Sequence, residues 1–280
     1  MTLPLISAPA LRAQMSAGAR LMVCDCRFDL ADPAHGEADH LAWHIPGAVY
    51  LHLDRDLSAP KDGRNGRHPL PDRAAFAARM AELGCQDDLP VVAYDASGGM
   101  YAARLWWMLR WLGHERVAVL DGGLAGWKRG KRVLEEAAPV VAPREFVARP
   151  RDLSVSTAQV LADLNAPSML ILDARSPERF RGENETLDPV GGHIPGAVNR
   201  FYFDNLDDAG CYFKPAGELR AEFDAILGGR PASAVVQQCG SGVTACHNLL
   251  AMELAGLSGS RLYPGSWSEW CADPARPVEK

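Results

Sequence analysis

A cysteine opens a run of small residues, Cys239-Gly240-Ser241-Gly242-Val243-Thr244-Ala245. The run follows the short apolar segment AVVQQ (234–238) and leads into ACHNLLAMELAG (245–256), whose apolar residues recur at helical spacing. Small residues between a strand and a helix let successive backbone N–H groups turn inward about one point. Together with the positive end of the helix, those donors make an anion site. A sulfur at the first loop position lies in that cradle, which stabilises it in its negative form, and thiolate is the nucleophile. Free cysteine is commonly just a small buried hydrophobe; its place at the head of this loop is what points to chemistry. Loops of this kind also hold phosphates, but this one has no Lys-Ser/Thr pair and no dinucleotide glycine spacing.

The elements that must position Cys239 occur twice. LMVCDCRFDL (21–30) resembles LILDARSPERF (170–180), each an apolar run ending in Asp-x-Arg. His44-Ile45-Pro46-Gly47-Ala48-Val49 recurs as His193-Ile194-Pro195-Gly196-Ala197-Val198, LPVVAYDASGGMYAARLWWMLRWLG (89–113) parallels ASAVVQQCGSGVTACHNLLAMELAG (232–256), and DGGLAGW (121–127) parallels PGSWSEW (264–270). The four matches are co-linear, and their period far exceeds the roughly 20–50 residues of a solenoid unit. The chain therefore reads as two diverged copies of one domain: residues 1–134, a Pro- and charge-rich linker over 135–152, and residues 153–280. The first copy carries Asp95 where the second carries Cys239. A carboxylate cannot act as a sulfur nucleophile, so the first domain reads as non-catalytic and the second as catalytic.

Within each copy, short apolar runs (LMVCD, VVAYD, VAVLD, MLILD, AVVQQ) alternate with helical stretches (FAARMAELG, AARLWWMLRWLG, ELRAEFDAIL, ACHNLLAMELAG). That alternation predicts an α/β fold, each domain a mainly parallel sheet flanked by helices. Ligands of such sheets sit beyond the carboxyl ends of the strands. Asp25, Asp95, Asp121, Asp173 and Cys239 all fall near such ends. The 280-residue length fits about two domains. With 48% hydrophobic and 23% charged residues the composition is globular. A net charge of −6 does not support bulk attraction to nucleic acid or anionic membrane. No apolar run approaches the roughly 18 residues of a membrane helix, and no secretory leader is expected at the start. Seven cysteines exclude a complete disulfide framework and suit a reduced, cytoplasmic setting.

The two HIPGA boxes, the Asp-x-Arg strand ends, DGGLAGW and above all CGSGVTA resemble the tandem-domain rhodanese family of sulfurtransferases, over nearly the whole chain. The loop looks like the 3-mercaptopyruvate version; thiosulfate-using members typically carry basic residues at the positions of Gly240 and Ser241. The resemblance implies two tandem rhodanese-like domains and a ping-pong reaction. Cys239 takes the outer sulfur of a small-molecule donor as a persulfide. It then passes that sulfur to cyanide, a small thiol or a reduced protein thiol such as a thioredoxin-like protein. No metal or organic cofactor is implied. The loop residues Gly240, Gly242, Val243, Thr244 and Ala245 hold the substrate. Ser241 matches a serine in a Ser-His-Asp relay whose other members would be His68, in GRHPLPD, and Asp54, in LHLDRD; both lie in the first half, which implies a site at the domain interface. Arg179, in SPERF, matches an arginine that binds the substrate carboxylate, for which a guanidinium fork is suited. Thr244 either donates its hydroxyl to the sulfur or caps the helix start.

One departure bears on the donor. A second arginine is expected a few residues after Arg179, yet the stretch reads GENETLDPVGGHIPG with Leu187 where it would stand. Thiosulfate or another persulfide donor is therefore the alternative to mercaptopyruvate. Two readings of other classes compete: a cysteine phosphatase, whose longer loop would end in an arginine that is missing here, and a non-catalytic binding or sulfur-relay module. Other features read as structural. Cys24 and Cys26 face one side of a strand as core residues, and Cys246, two helical turns beyond Cys239, is poorly placed to resolve a disulfide. His44 and His193 read as loop-fixing residues, Trp106, Trp107 and Trp111 as a packing stripe, and Asp173 with Arg175 as structural contacts.

Overall fold

The computed structural model describes residues 4–130 and 133–280. The chain forms two compact units. The first gathers Met1–Ala59, Pro71–Asp152 and Asp207–Phe213; the second gathers Pro60–Leu70, Leu153–Leu206 and Lys214–Lys280.

The first unit contains β1 (Leu5–Ser7), α1 (Ala8–Ser16), β2 (Met22–Asp25), α2 (His35–Ala42), β3 (Val49–Tyr50), α3 (Arg73–Glu82), β4 (Val91–Tyr94), α4 (Ala102–Trp111), β5 (Val117–Asp121) and α5 (Gly123–Arg129). Its sheet has the order β1-β5-β4-β2-β3, and every pairing is parallel. The central strands β2 and β4 are buried along their length, as expected where helices cover both faces. Leu11, Val23, Ile45, Val92, Leu120 and Trp127 meet in the core. Trp106, Trp107 and Trp111 are buried on α4, and Cys24 and Cys26 are buried at β2 and just beyond it.

The second unit contains α6 (Thr157–Asp163), β6 (Leu170–Asp173), α7 (Pro177–Phe180), β7 (Val198–Asn199), α8 (Ala216–Leu227), β8 (Val235–Gln238), α9 (Ala245–Leu254), β9 (Arg261–Leu262) and α10 (Ser266–Trp270). Its sheet runs β7-β6-β8-β9, again all parallel. Val160, Ile171, Ile194, Val236, Trp267 and Trp270 form its core. Ile171, Ile194, Val236 and Trp270 stand at the repeat positions of Val23, Ile45, Val92 and Trp127, so the duplicated motifs fill equivalent places. Among the described residues, no helix is long and apolar enough to cross a membrane.

The HIPGA boxes are corners fixed by their histidines. His44 Nδ1 lies 2.7 Å from the His40 carbonyl, and His193 Nδ1 lies 2.9 Å from that of Phe180. A glutamate straps each corner. Glu135 exchanges backbone hydrogen bonds with His44 and accepts from Gly47 N–H; Glu279 does the same with His193 and Gly196. The segment 135–152, read from sequence as a linker, has no helix or strand, yet it is laid along the first unit. Arg144, Arg149 and Arg151 donate backbone N–H bonds to Ala81, Leu112 and Trp111 carbonyls. Pro and charge mark the want of regular structure there, not a want of packing.

Candidate active site

Strand β8 delivers Cys239 to the carboxyl edge of the second sheet. Gln238 pairs with Asp173, and Ala174 N–H donates to the Gln238 carbonyl, so the end of β6 fixes the start of the loop. The loop folds back so that Gly242 N–H points at Cys239 Sγ (3.1 Å) and Ser241 N–H lies 3.5 Å from it. Gly242 has φ +77, and a Cβ there would run into the Pro264 carbonyl, so glycine is required at this turn. Cys239 is 1% exposed. Its sulfur faces backbone amides, a surrounding unlike that of a thiol sealed among hydrocarbon. Cys246 lies behind the loop on α9, its Sγ donating to the Gly242 carbonyl at 3.4 Å.

The structure brings two predicted partners together. Ser241 Oγ and His68 Nδ1 are 2.7 Å apart, and both side chains are buried. His68 precedes the linker in sequence but belongs to the second unit, in the segment Pro60–Leu70; the expectation that it comes from the first domain gives way to this. Asp54 lies in the first unit, in the loop after β3, where its N–H donates to His52 Nδ1 at 3.1 Å. Thr244 occupies the N-cap of α9, but its side chain makes no capping hydrogen bond. Val243 and Ala245 are buried.

Arg179, on α7, is held by two carboxylates. Its Nε and Nη2 meet Glu185 at 3.0 and 2.9 Å, and Nη2 also meets Asp188 at 3.1 Å. Arg67 completes the cluster by pairing with the other oxygen of Asp188. The loop that lacks the expected arginine thus supplies Glu185 and Asp188 instead, while Leu187 is half exposed. Burial raises the Asp188 carboxyl, against the pull of Arg67 and Arg179. Burial acts on Glu185 as well, but the Arg179 hydrogen bond and the Leu187 N–H outweigh it and hold that carboxyl down. A Cβ placed on Gly240 would come within 2.6 Å of Arg67 Nη2 and 3.4 Å of Arg179 Nη2. Both guanidinium heads therefore converge over the residue next to Cys239.

Two participants were missed from sequence. Arg67 gave no signal of its own beside His68. Ser266 did leave one. It sits at φ +54, a region non-glycine residues rarely adopt. Its Oγ accepts the Cys239 N–H at 3.1 Å and donates to the Tyr263 carbonyl at 2.9 Å. In the first copy the matching position is Gly123, at φ +50. A glycine in one copy opposite a serine in the other marks a backbone shape that the serine keeps under strain. The shared geometry extends further: Trp267 N–H donates to the Cys239 carbonyl and Leu124 N–H to that of Asp95, both at 2.9 Å.

In the first copy the matching loop closes on its own carboxylate. The Asp95 carboxylate accepts N–H bonds from Ser97, Gly99, Tyr101 and Ala102 at 2.8–2.9 Å. Burial raises this carboxyl, and the four donors pull it down. The first loop is an anion cradle filled by its own side chain. Asp95→Ala would leave three buried donors and the part-buried Ser97 N–H without their acceptor and is expected to destabilise the first unit by about 3 kcal/mol, seen as a lower denaturant midpoint. A cost below about 1 kcal/mol would mean that the carboxylate contributes little there.

Comparison with known proteins gives matches along nearly the full chain. The model of the rhodanese-like domain matches residues 7–130 and 156–273. The chain is 48% identical over 277 residues to a protein of Pseudomonas aeruginosa named "Probable 3-mercaptopyruvate sulfurtransferase", covering 98% of this chain and 97% of that one. It is 35% identical to the thiosulfate sulfurtransferase of Bos taurus, covering 90% and 86%. The solved structure of SseA from Escherichia coli, described as a 3-mercaptopyruvate sulfotransferase, superposes with a TM-score of 0.82 at 33% identity, covering 95% and 99%.

Proposed function

The chain belongs to the rhodanese-like domain family, and from that premise we propose that it is a sulfurtransferase whose preferred donor is 3-mercaptopyruvate and whose sulfur carrier is Cys239. The observation that carries this reading is the pair of backbone N–H groups aimed at Cys239 Sγ. Preorganised donors of this kind stabilise negative sulfur both before and after transfer. The Cys239 thiolate attacks the donor sulfur, an S–S bond forms and the C–S bond breaks. Pyruvate departs as its enolate and takes up the proton that the donor thiol gave. Ser241, two residues from Cys239 and bonded to His68, suits the role of holding or passing that proton. The Cys239 persulfide then yields its terminal sulfur to cyanide, a small thiol or a reduced protein thiol. A thioredoxin-like protein suits the last role, and a reducing, cytoplasmic compartment suits the free cysteines.

Thiosulfate is the second donor reading, favoured by the bovine relative and by Leu187 at the place of a second arginine. One experiment tests both. Incubation with mercaptopyruvate, followed by intact mass, should add about 32 Da to Cys239, one sulfur atom on the reactive thiolate. Cyanide or a small thiol should remove it. A kcat/KM for thiosulfate above that for mercaptopyruvate would reverse the donor order, and no adduct from any sulfane donor would end the sulfurtransferase reading.

A further inference from the structure

We propose that Ser266 is a positioning residue for sulfur transfer, its hydroxyl holding the Cys239 backbone so that Sγ keeps its aim at the loop N–H groups; this rests on the sulfurtransferase reading above. Residues 266 and 267 grip both sides of the Cys239 Cα. Ser266 Oγ accepts the Cys239 N–H at 3.1 Å, and Trp267 N–H donates to the Cys239 carbonyl at 2.9 Å. The hydroxyl is itself tied down, donating to the Tyr263 carbonyl at 2.9 Å. Tyr263 N–H and Ser268 N–H hold the Gln237 and Gly240 carbonyls, both at 2.9 Å. Residues 263–268 thus form a template along the end of β8 and the start of the loop. With the peptide groups on both sides of Cys239 held, only rotation about Cα–Cβ is left to set where the sulfur points.

Glycine would make this corner at less strain, as it does in the first copy. There Gly123 has φ +50, and a Cβ on it would come within 2.5 Å of the Asp95 carbonyl. Ser266 keeps a side chain in the same backbone shape, at φ +54, and is fully buried. Such a conformation costs stability in a non-glycine residue and persists where the surroundings over-determine it. The cost falls in the copy that carries the thiol. Asp95 needs no outside anchor, because four N–H groups hold its carboxylate. Cys239 Sγ has two loop N–H groups, at 3.1 and 3.5 Å, and sulfur is a weak acceptor. Its aim therefore comes from the backbone, and that aim must survive each time the persulfide sulfur is added and removed.

The test compares Ser266→Gly with Ser266→Ala in the full chain. Both remove the hydroxyl, and only glycine relieves the backbone. Sulfur loading is read as the rate at which Cys239 gains about 32 Da from saturating mercaptopyruvate. Both variants are expected to load about tenfold more slowly than wild type, the scale of one lost hydrogen bond. Ser266→Gly should melt close to wild type and Ser266→Ala at a lower temperature. The ratio of Cys239 alkylation rates by iodoacetamide at near-neutral and at alkaline pH should fall in both, because a thiolate that loses its aim loses its donors. A merely structural role would slow only the less stable alanine variant and would leave the alkylation ratio unchanged. Wild-type loading in Ser266→Gly, or an unchanged alkylation ratio in that variant, overturns the assignment, and the glycine variant decides alone if the alanine variant does not fold. Failure of the underlying reading shows separately, as a wild-type protein that takes no sulfur from mercaptopyruvate.

Discussion

Cys239→Ser is expected to abolish sulfur loading from every sulfane donor and to lower turnover by about 10⁴-fold or more, the scale on which removal of a nucleophile acts. The serine hydroxyl can accept the same Ser241 and Gly242 N–H groups, so the loop should persist and stability should change by no more than about 1 kcal/mol. The separation of these two effects is the useful part of the result. A variant that melts like wild type yet gains no mass isolates the sulfur as the reacting atom. Cys246→Ser is the matched control. Its thiol lies behind the loop, donating to the Gly242 carbonyl, and the 32 Da adduct should still form. Turnover surviving in Cys239→Ser would move the protein to a binding or relay role, and hydrolysis of an aryl phosphate by wild type would favour the phosphatase class.

The strands and helices that lie deepest were legible in the sequence because burial leaves a pattern. VVAY, LILD and VVQQ are apolar along their length, as strands covered on both faces must be. The long α4, α8 and α9 carry helical spacing. The short edge strands β3, β7 and β9, two residues each, were not legible, because two residues carry no period. Helices α7 and α10 were missed for a related reason: Pro177–Phe180 and Ser266–Trp270 are too short to display a face.

The site divides along the same line. Cys239 and its loop are contiguous, so strand, small residues and helix could be read together. Ser241 with His68 and Arg179 beside the loop were reached through resemblance, since 173 residues separate the bonded serine and histidine. Arg67 lay beyond both routes. It looks like any basic loop residue until Asp188 and Gly240 are seen around it. Leu187 was read as a missing clamp. The adjacent Asp188 pairs with both Arg67 and Arg179.

Asp173→Ala is expected to cost about 3–5 kcal/mol of stability, because it strands a buried charge. Arg175 is 1% exposed and gives Asp173 a forked pair, with Nη2 at 2.6 Å and Nε at 3.0 Å, besides the backbone N–H at 3.0 Å. The guanidinium lies over the Trp267 ring, 4.6 Å from its centroid, and bonds the Gly192 carbonyl at 2.7 Å. Burial works against its charge, and Asp173 outweighs burial. Without the carboxylate, the cation keeps one carbonyl, a face of indole and a 3.5 Å approach from Glu185, too little to offset the lost solvation. Asp173 also ends β6 opposite Gln238, so distortion there reaches the loop that carries Cys239. The double variant Asp173→Leu with Arg175→Met should regain most of the stability, since it buries no unpaired charge. Denaturant midpoints for the two variants decide between ion-pair loss and simple cavity formation. If the double variant is as unstable as the single, packing of the aspartate itself sets the cost, and the Asp25–Arg27 pair of the first unit, bonded at 2.6 Å in the same pattern, should behave likewise.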